Sequence, residues 1–459
     1  MNLTCKVCLL SLLVPTLLNG QEAGLLRMNP DRPARESEAA VWGGVEEGRF
    51  KPTHAAVFQW SAGADAKIVR HGKTTSWTGA LSFGQTVGQN MLSSMLLEPD
   101  YYPFDILEFT PGTKSRQDVR LETGFLSDIG YEWAAGFKAS VKGAHVARQQ
   151  DVRHSSFGLD ALVEPVLTYV MDDDMGLVSS YKVRYRMETL KVAEDTGDLF
   201  LDEGLRYGTY QALGENGVFP IREFSHGFSE LLYSPEVSVG LDLIWKRGQA
   251  GGNNGERFKF PGSTISAFFQ HTVLADKADH TYRISYKRMR DQLREVAEGG
   301  IVALSDRRQR NLDLKYEARF VHGALKRTGI ALDGNQWFER ASVAAGDRVR
   351  RYDGTATAFT AFSFGPVDLD VNFLLGKGWW KDRGKAGLDT DQVGRLTEDW
   401  LKKMEYVMAS RMGCGGTLTG HINSNLYVQL YAYWHHAFNR VLLGGTNREI
   451  ATLKVGYKF

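Results

Sequence analysis

The sequence predicts an all-β protein, an up-and-down antiparallel transmembrane β-barrel of about sixteen strands, with fourteen as the alternative count. Three observations carry this reading. Apolar and polar residues alternate with period two over most of the chain, the last strand runs to an aromatic residue at Phe459, and the first twenty residues have the form of a secretory leader. In the last strand Ala451, Leu453, Val455, Tyr457 and Phe459 share one face, while Thr452, Lys454, Gly456 and Lys458 share the other. Soluble proteins usually let a terminal strand fray into a polar tail. Bacterial outer-membrane barrels close on theirs, so Tyr457 and Phe459 are read as an assembly signal addressed to the barrel-assembly machinery.

At the other end Lys6 precedes the mostly apolar stretch 7–18, and Asn19-Gly20 offers a small-residue cleavage site. Residues 1–20 are therefore expected to be a signal peptide, 21–52 an irregular periplasmic segment or plug, and 53–459 the barrel. Removal of the leader takes Cys5 and Cys8 with it and leaves Cys414 alone, which excludes an internal disulfide. No later run of about 18 apolar residues exists, so helical membrane spans are excluded, while alternating strands are invisible to averaged hydropathy. With 55 basic and 54 acidic residues the net charge of +1 gives no field for nucleic acid. No cofactor is expected.

Taken in order, the first strand is expected near Trp77 to Thr86. The clearest hairpin follows: Val119, Leu121, Thr123 and Phe125, a turn at 127–130, then Trp133, Ala135, Phe137, Ala139 and Val141. A second joins the strand 159–169 to 177–187, whose wet face carries Lys182, Arg184, Arg186 and Glu188. Its turn contains Asp172-Asp173-Asp174, but calcium loops space their carboxylates at alternate positions, so this is a solvated turn. Further pairs are expected at 228–232 with 237–245, 265–274 with 282–289, 359–364 with 367–375, and 406–412 with 418–434 across Gly413-Cys414-Gly415-Gly416. A strand at 325–345 is inferred from parity alone. Longer external loops are expected at 88–116, 189–224, 246–261, 290–310, 376–398 and 435–448. A propeller is excluded because no repeat of about 40 to 50 residues occurs. A soluble sandwich does not call for oily faces such as Val237, Val239, Leu241, Leu243 and Trp245 on strand after strand.

The blocks LETGFLSDIGYEWAAGFKASVKGAHVARQQDVRH (121–154), FPIREFSHGF (219–228) and GNQWFERAS (334–342) resemble an uncharacterised family of Bacteroidota-type outer-membrane β-barrels. The resemblance implies a barrel in the outer membrane of a Gram-negative cell and brings no established catalytic residues. The common assembly pattern has Gly five residues before the final aromatic, whereas here Lys454 stands there and Gly456 lies beside Tyr457.

Candidate lumen residues follow from the wet faces. His421, Asn423, Asn425, Tyr427, Gln429, Tyr431 and Tyr433 would form a ladder of amides and phenols able to exchange hydrogen bonds with a polar solute or with each other. Asp368, Asp370 and Asn372 form a second ladder, expected to pair with Lys or Arg across the wall rather than to hold a cation. Arg184 and Arg186 complete the set. His435-His436 are placed in an external loop. His226, beside Ser225 and Ser229, is the one constellation that a hydrolase reading could use. The expected function is a non-enzymatic pore or uptake accessory for a polar solute. The alternatives are a plugged interaction barrel docking a lipoprotein or receptor, and a hydrolase. The partners expected in each case are outer-membrane lipid and the assembly machinery.

Overall fold

The structure, a computed structural model, describes residues 35–459 apart from 53, 73, 100, 149–153, 173–174, 193–198, 203–206, 210–216, 253–254, 298, 342–347, 383–401, 404 and 439–444. The expected leader lies outside the described residues. Twenty strands succeed one another: β1 (Arg35–Gly48), β2 (Phe58–His71), β3 (Thr75–Ser94), β4 (Asp105–Asp128), β5 (Trp133–Arg148), β6 (His154–Asp172), β7 (Met175–Val192), β8 (Leu199–Asp202), β9 (Tyr207–Thr209), β10 (Gly217–Tyr233), β11 (Val237–Gly252), β12 (Gly255–Val273), β13 (Ala278–Ala297), β14 (Gly300–Phe320), β15 (Leu325–Ala341), β16 (Arg348–Phe364), β17 (Val367–Asp382), β18 (Arg411–His421), β19 (Leu426–Ala437) and β20 (Asn447–Lys458).

Each strand pairs antiparallel with the next, β7 pairs with β10, and β1 pairs with both β2 and β20, so 18 strands close into a barrel. The small β8 and β9 stand outside this cylinder, with β8 capping the upper edge of β4 at Asp105–Glu108. The expected class holds, and the expected count of sixteen is corrected to eighteen. The two added strands are β1 and β2, and β1 falls in the segment expected to be irregular. Its alternation is real, with Val41 and Val45 outward and Glu38, Trp42 and Glu46 inward, but glycines and alanines dilute it.

The outer wall explains where the molecule lives. Val41, Leu81, Leu121, Val163, Leu241, Ile284, Leu312, Leu332, Phe373, Leu430 and Leu453 are all exposed large apolar residues on one continuous belt. Trp77, Phe125, Trp133, Tyr457 and Phe459 lie towards one end of it, and Trp60, Trp245, Tyr352 and Trp379 towards the other. In water such a belt would drive aggregation; in a bilayer it meets hydrocarbon, with aromatic rings at the two interfaces. A closed barrel of this kind spans the bacterial outer membrane.

At one end the connections are short: 72–74, 129–132, 173–174, 234–236, 274–277, 321–324, 365–366 and 422–425. Gly365 takes a positive φ of 63° in the tightest of these, which a side chain would oppose. This is the periplasmic end. At the other end the connections 49–57, 95–104, 193–216 and 383–410 are long in sequence, yet the expected loops 246–261 and 290–310 are mostly tall strand, with β11 reaching Gly252, β12 beginning at Gly255, β13 reaching Ala297 and β14 beginning at Gly300. The wall rises beyond the belt, and there the outward residues become polar. Strand geometry therefore continues where apolar alternation stops.

Inside, aromatic rings lie flat on glycines of the neighbouring strand. Trp42 faces Gly63, where an added Cβ would come 2.4 Å from its ring, and Tyr433 covers Gly415 at the same 2.4 Å. The rings take the space that a side chain would have filled, which fixes them against the wall.

Candidate functional site

The segment 95–104, joining β3 to β4, folds into the lumen rather than standing above the rim. A register shift between Gly88 and Ser93 bends β3 beneath it, at Asn90, which has a positive φ of 54°. Met95, Leu96, Tyr102 and Phe104 then pack on inward residues of six strands, among them Leu190, Phe219, Ile221, Phe258, Phe260, Leu293 and Leu304. The Tyr102 ring stacks on Phe104 at 5.6 Å, and Phe104 stacks on Phe258 at 5.6 Å. Among the described residues this cluster is the largest apolar core, and it sits inside the barrel wall at the outer end.

Polar contacts hold the tip of the segment. Glu98 accepts from Arg186 at 3.0 Å and from Lys142 at 3.1 Å, and the Arg186 guanidinium lies 3.8 Å from the Tyr101 ring centre. The Tyr101 hydroxyl donates to Glu223 at 2.6 Å, and Arg307 donates to the Tyr101 and Tyr102 carbonyls at 2.7 and 2.5 Å. Glu188 accepts the Leu97 amide at 2.7 Å and the Ser156 hydroxyl at 2.8 Å, while Arg116 donates to the Leu97 carbonyl at 2.7 Å. Asp291 receives both Lys246 and Arg307 at 2.8 Å. Burial would raise the Glu98 carboxyl, but Arg186 and Lys142 outweigh it and hold Glu98 well below the ordinary glutamate range. Burial and the adjacent Glu223 push the Tyr101 phenol up, so it remains a donor.

The lumen wall below carries both signs in pairs, with Lys182 on Asp242 at 2.7 Å and Arg184 on Asp160. Arg184 and Arg186 face the barrel interior, and Arg186 belongs to the site itself. Asp368 and Asp370 also face inward; Asp370 meets Arg327 at 2.8 Å, while Asp368 meets His421 at 3.0 Å rather than a Lys or Arg. Tyr427, Gln429 and Tyr431 line the inner face of β19, with Tyr427 donating to Glu38 across the closure and Gln429 donating to Thr419 at 3.1 Å.

Three readings are corrected. The expected single ladder from Thr419 to Tyr433 is a hairpin, because the Asn423 side chain accepts the amides of Asn425 and Leu426 at 2.8 and 2.7 Å and turns the chain. Asn423 and Asn425 therefore sit at the periplasmic rim, and 413–416, read as a turn, is strand covered by Tyr433. His435 and His436 lie on β19, with His435 buried against Phe50 at 4.9 Å between ring centres, because 435–437 continues the strand. The His226 constellation is not assembled. The pleat sends Ser225 inward and His226 outward, where Nδ1 is 3.0 Å from the Tyr181 hydroxyl and the ring lies 5.8 Å from Trp245.

No family model and no curated protein sequence matches this chain. Among solved structures it is similar to the ferric preacinetobactin receptor BauA from Acinetobacter baumannii, at 8% identity over 93% of this chain and 80% of that one, with a TM-score of 0.43. It is similar as well to the FrpB iron transporter from Neisseria meningitidis, at 9% identity over 95% and 83% with a TM-score of 0.44. The copper transporter OprC gives 8% identity over 94% and 82% with a TM-score of 0.43. The chemistry of the site is read from its own residues.

Sequence reasoning reached Arg184 and Arg186 but missed Glu98, Tyr101, Glu223 and Arg307. The signal that could have found Glu98 and Tyr101 is composition: Glu98-Pro99 followed by Tyr101-Tyr102-Pro103-Phe104 is too apolar and aromatic for a solvated loop.

Proposed function

We propose that the protein is a non-enzymatic pore for a polar solute, narrowed at its outer end by the segment 95–104. The observation that carries this is the inward fold of that segment onto inward-facing charged residues of five wall strands, Lys142, Arg186, Glu223, Lys246 and Arg307. Barrels of 16 to 18 strands are wide enough to leave an aqueous channel, so a segment laid across the lumen sets its narrowest level. Cationic and acidic groups alternate around it. Such a wall offers hydrogen bonds in both senses and no strong field of one sign, which suits an uncharged or zwitterionic solute better than a simple ion.

Planar-bilayer recording of the purified, folded protein tests the reading. Conductance with little preference between potassium and chloride is expected, and replacing 96–101 by a short Gly-Ser linker should enlarge each step severalfold. A folded protein that conducts in neither form would remove the pore and leave the plugged interaction barrel. Conductance unchanged by the replacement would show that the narrowest level lies elsewhere.

A further inference from the structure

On the outside of the barrel, above the apolar belt, the register places arginine against arginine. Arg288 on β13 is directly opposite Arg310 on β14, and Arg290 is opposite Arg308. Across the next two pairings Arg310 meets Gln336, Arg308 meets Phe338, and Phe338 meets Arg350. All share the outward face with the exposed Tyr286, Leu312, Leu332 and Tyr352, because each lies an even number of residues from one of them on its own strand. Arg288 and Arg310 stand two residues beyond Tyr286 and Leu312 respectively, about 7 Å further from the periplasmic turns. That is the level at which hydrocarbon gives way to headgroups in the outer leaflet.

Among the described residues one carboxylate answers this cluster from the same face: Asp306, which accepts from Arg290 at 3.0 Å and from Arg308 at 2.7 Å. Among the described residues no carboxylate lies within ion-pair distance of Arg310 or Arg350; Arg350 instead lies 5.4 Å from the Phe338 ring centre. Like charges directly opposite on a sheet repel, and five guanidiniums against one acid is an arrangement that folding alone does not reward. Between them lies a cleft of about 300 Å³ lined by Arg308, Arg310, Gln336, Phe338 and Arg350. Its walls offer planar forks for phosphate oxygens, an amide for a sugar hydroxyl and a ring for the adjoining chain or sugar face.

We propose that this cleft binds the phosphorylated headgroup of an anionic glycolipid of the outer leaflet. The acyl chains of the same molecule lie along the belt below, at Leu312, Leu332 and Tyr286. The headgroup phosphate relieves the repulsion between the facing arginines, and the lipid is held at one place on the wall as a specific ligand, distinct from the solvating bilayer.

The test uses the full-length folded protein in a neutral detergent, titrated with a bisphosphorylated glucosamine-disaccharide glycolipid and read by native mass spectrometry. One tightly retained glycolipid per barrel is expected. Its affinity should fall by about tenfold or more when the lipid is dephosphorylated, and by as much in the Arg310→Gln, Arg350→Gln double variant. A Lys277→Gln, Lys458→Gln double variant removes the same charge at the periplasmic rim and should bind as the parent does. Millimolar inorganic phosphate should not displace the lipid. Equal binding of the dephosphorylated lipid, or equal binding by the Arg310, Arg350 variant, would overturn the proposal. Complete displacement by inorganic phosphate would overturn it as well, by showing a site for the free anion.

Discussion

Glu98 joins the folded-in segment to two strands of the wall through a single carboxylate, with Arg186 buried on one side and the half-buried Lys142 on the other. Replacing it by Gln leaves the Arg186 charge out of water and without its anion. Because Lys142 still reaches solvent, the expected loss is about 1–3 kcal/mol of local stability rather than the larger cost of a fully buried pair. Hydrogen exchange at the amides of 95–104 should accelerate by about tenfold or more in Glu98→Gln, with the amides of β11 and β12 unchanged. The pH dependence has a definite sign. The carboxyl is held below its ordinary value of 4.5, so the anchoring it gives is complete above that value and fades as pH falls through and below it. Channel steps should thus be steady from neutral pH to about 5 and enlarge only in more acidic solution; enlargement between pH 7 and 6 would point to another group. Arg186 was legible as a lumen residue because it lies on an alternating strand. Its partner was not, since a segment without period carries no information about which side it faces.

At the scale of elements, the hairpin of β18 and β19 shows how local chemistry competes with pattern. Residues 418–434 alternate well enough to pass for one long strand, and two neighbouring glycines at 415–416 invite a turn in the wrong place. The turn is decided by Asn423, whose side chain takes two backbone amides that would otherwise continue a ladder. Asn423→Ala should lower the unfolding free energy by about 1–2 kcal/mol, while Asn423→Asp, which keeps the oxygen that accepts both amides, should cost little; urea unfolding of barrel refolded into micelles measures both. The glycines at 413 and 415 are instead seats for the Tyr433 ring, so Gly415→Val, which must displace that ring or the Ala432 carbonyl, should cost more than Asn423→Ala. The same reasoning explains the tall strands. Periodicity reports which face is greasy, and above the bilayer the outward face turns polar, so β13 and β14 read as loops from Arg290 to Arg310 although their ladder is unbroken apart from one bulge and the turn.

For the whole molecule the decisive feature is the seam. β1 runs between β20 and β2, pairing from Glu38 to Gly48 with one and from Arg35 to Glu47 with the other. Inside the seam Glu38 takes Lys454 at 3.4 Å and the Tyr427 hydroxyl, and Glu46 takes Arg448. The C-terminal strand was plain in the sequence because it alternates to its last residue. Its partner β1 was hidden in a segment rich in Gly and Ala, and with β1 and β2 both missed the count comes out two strands short. Because β2 and β20 are both antiparallel to β1, they run parallel to each other, so removing residues 35–48 leaves two edges that cannot join by the antiparallel ladder used everywhere else. An open edge in a bilayer carries unpaired backbone groups at several kcal/mol each. The deletion should therefore abolish the compact form that migrates differently in detergent gels before and after boiling. The Glu38→Ala, Glu46→Ala double variant keeps every backbone pair, so it should retain that form and lose it at a lower temperature than the parent. A deletion that still gave a heat-modifiable band would mean that β2 and β20 can seal a parallel seam, and the cylinder would then owe its closure to the other seventeen strands rather than to β1.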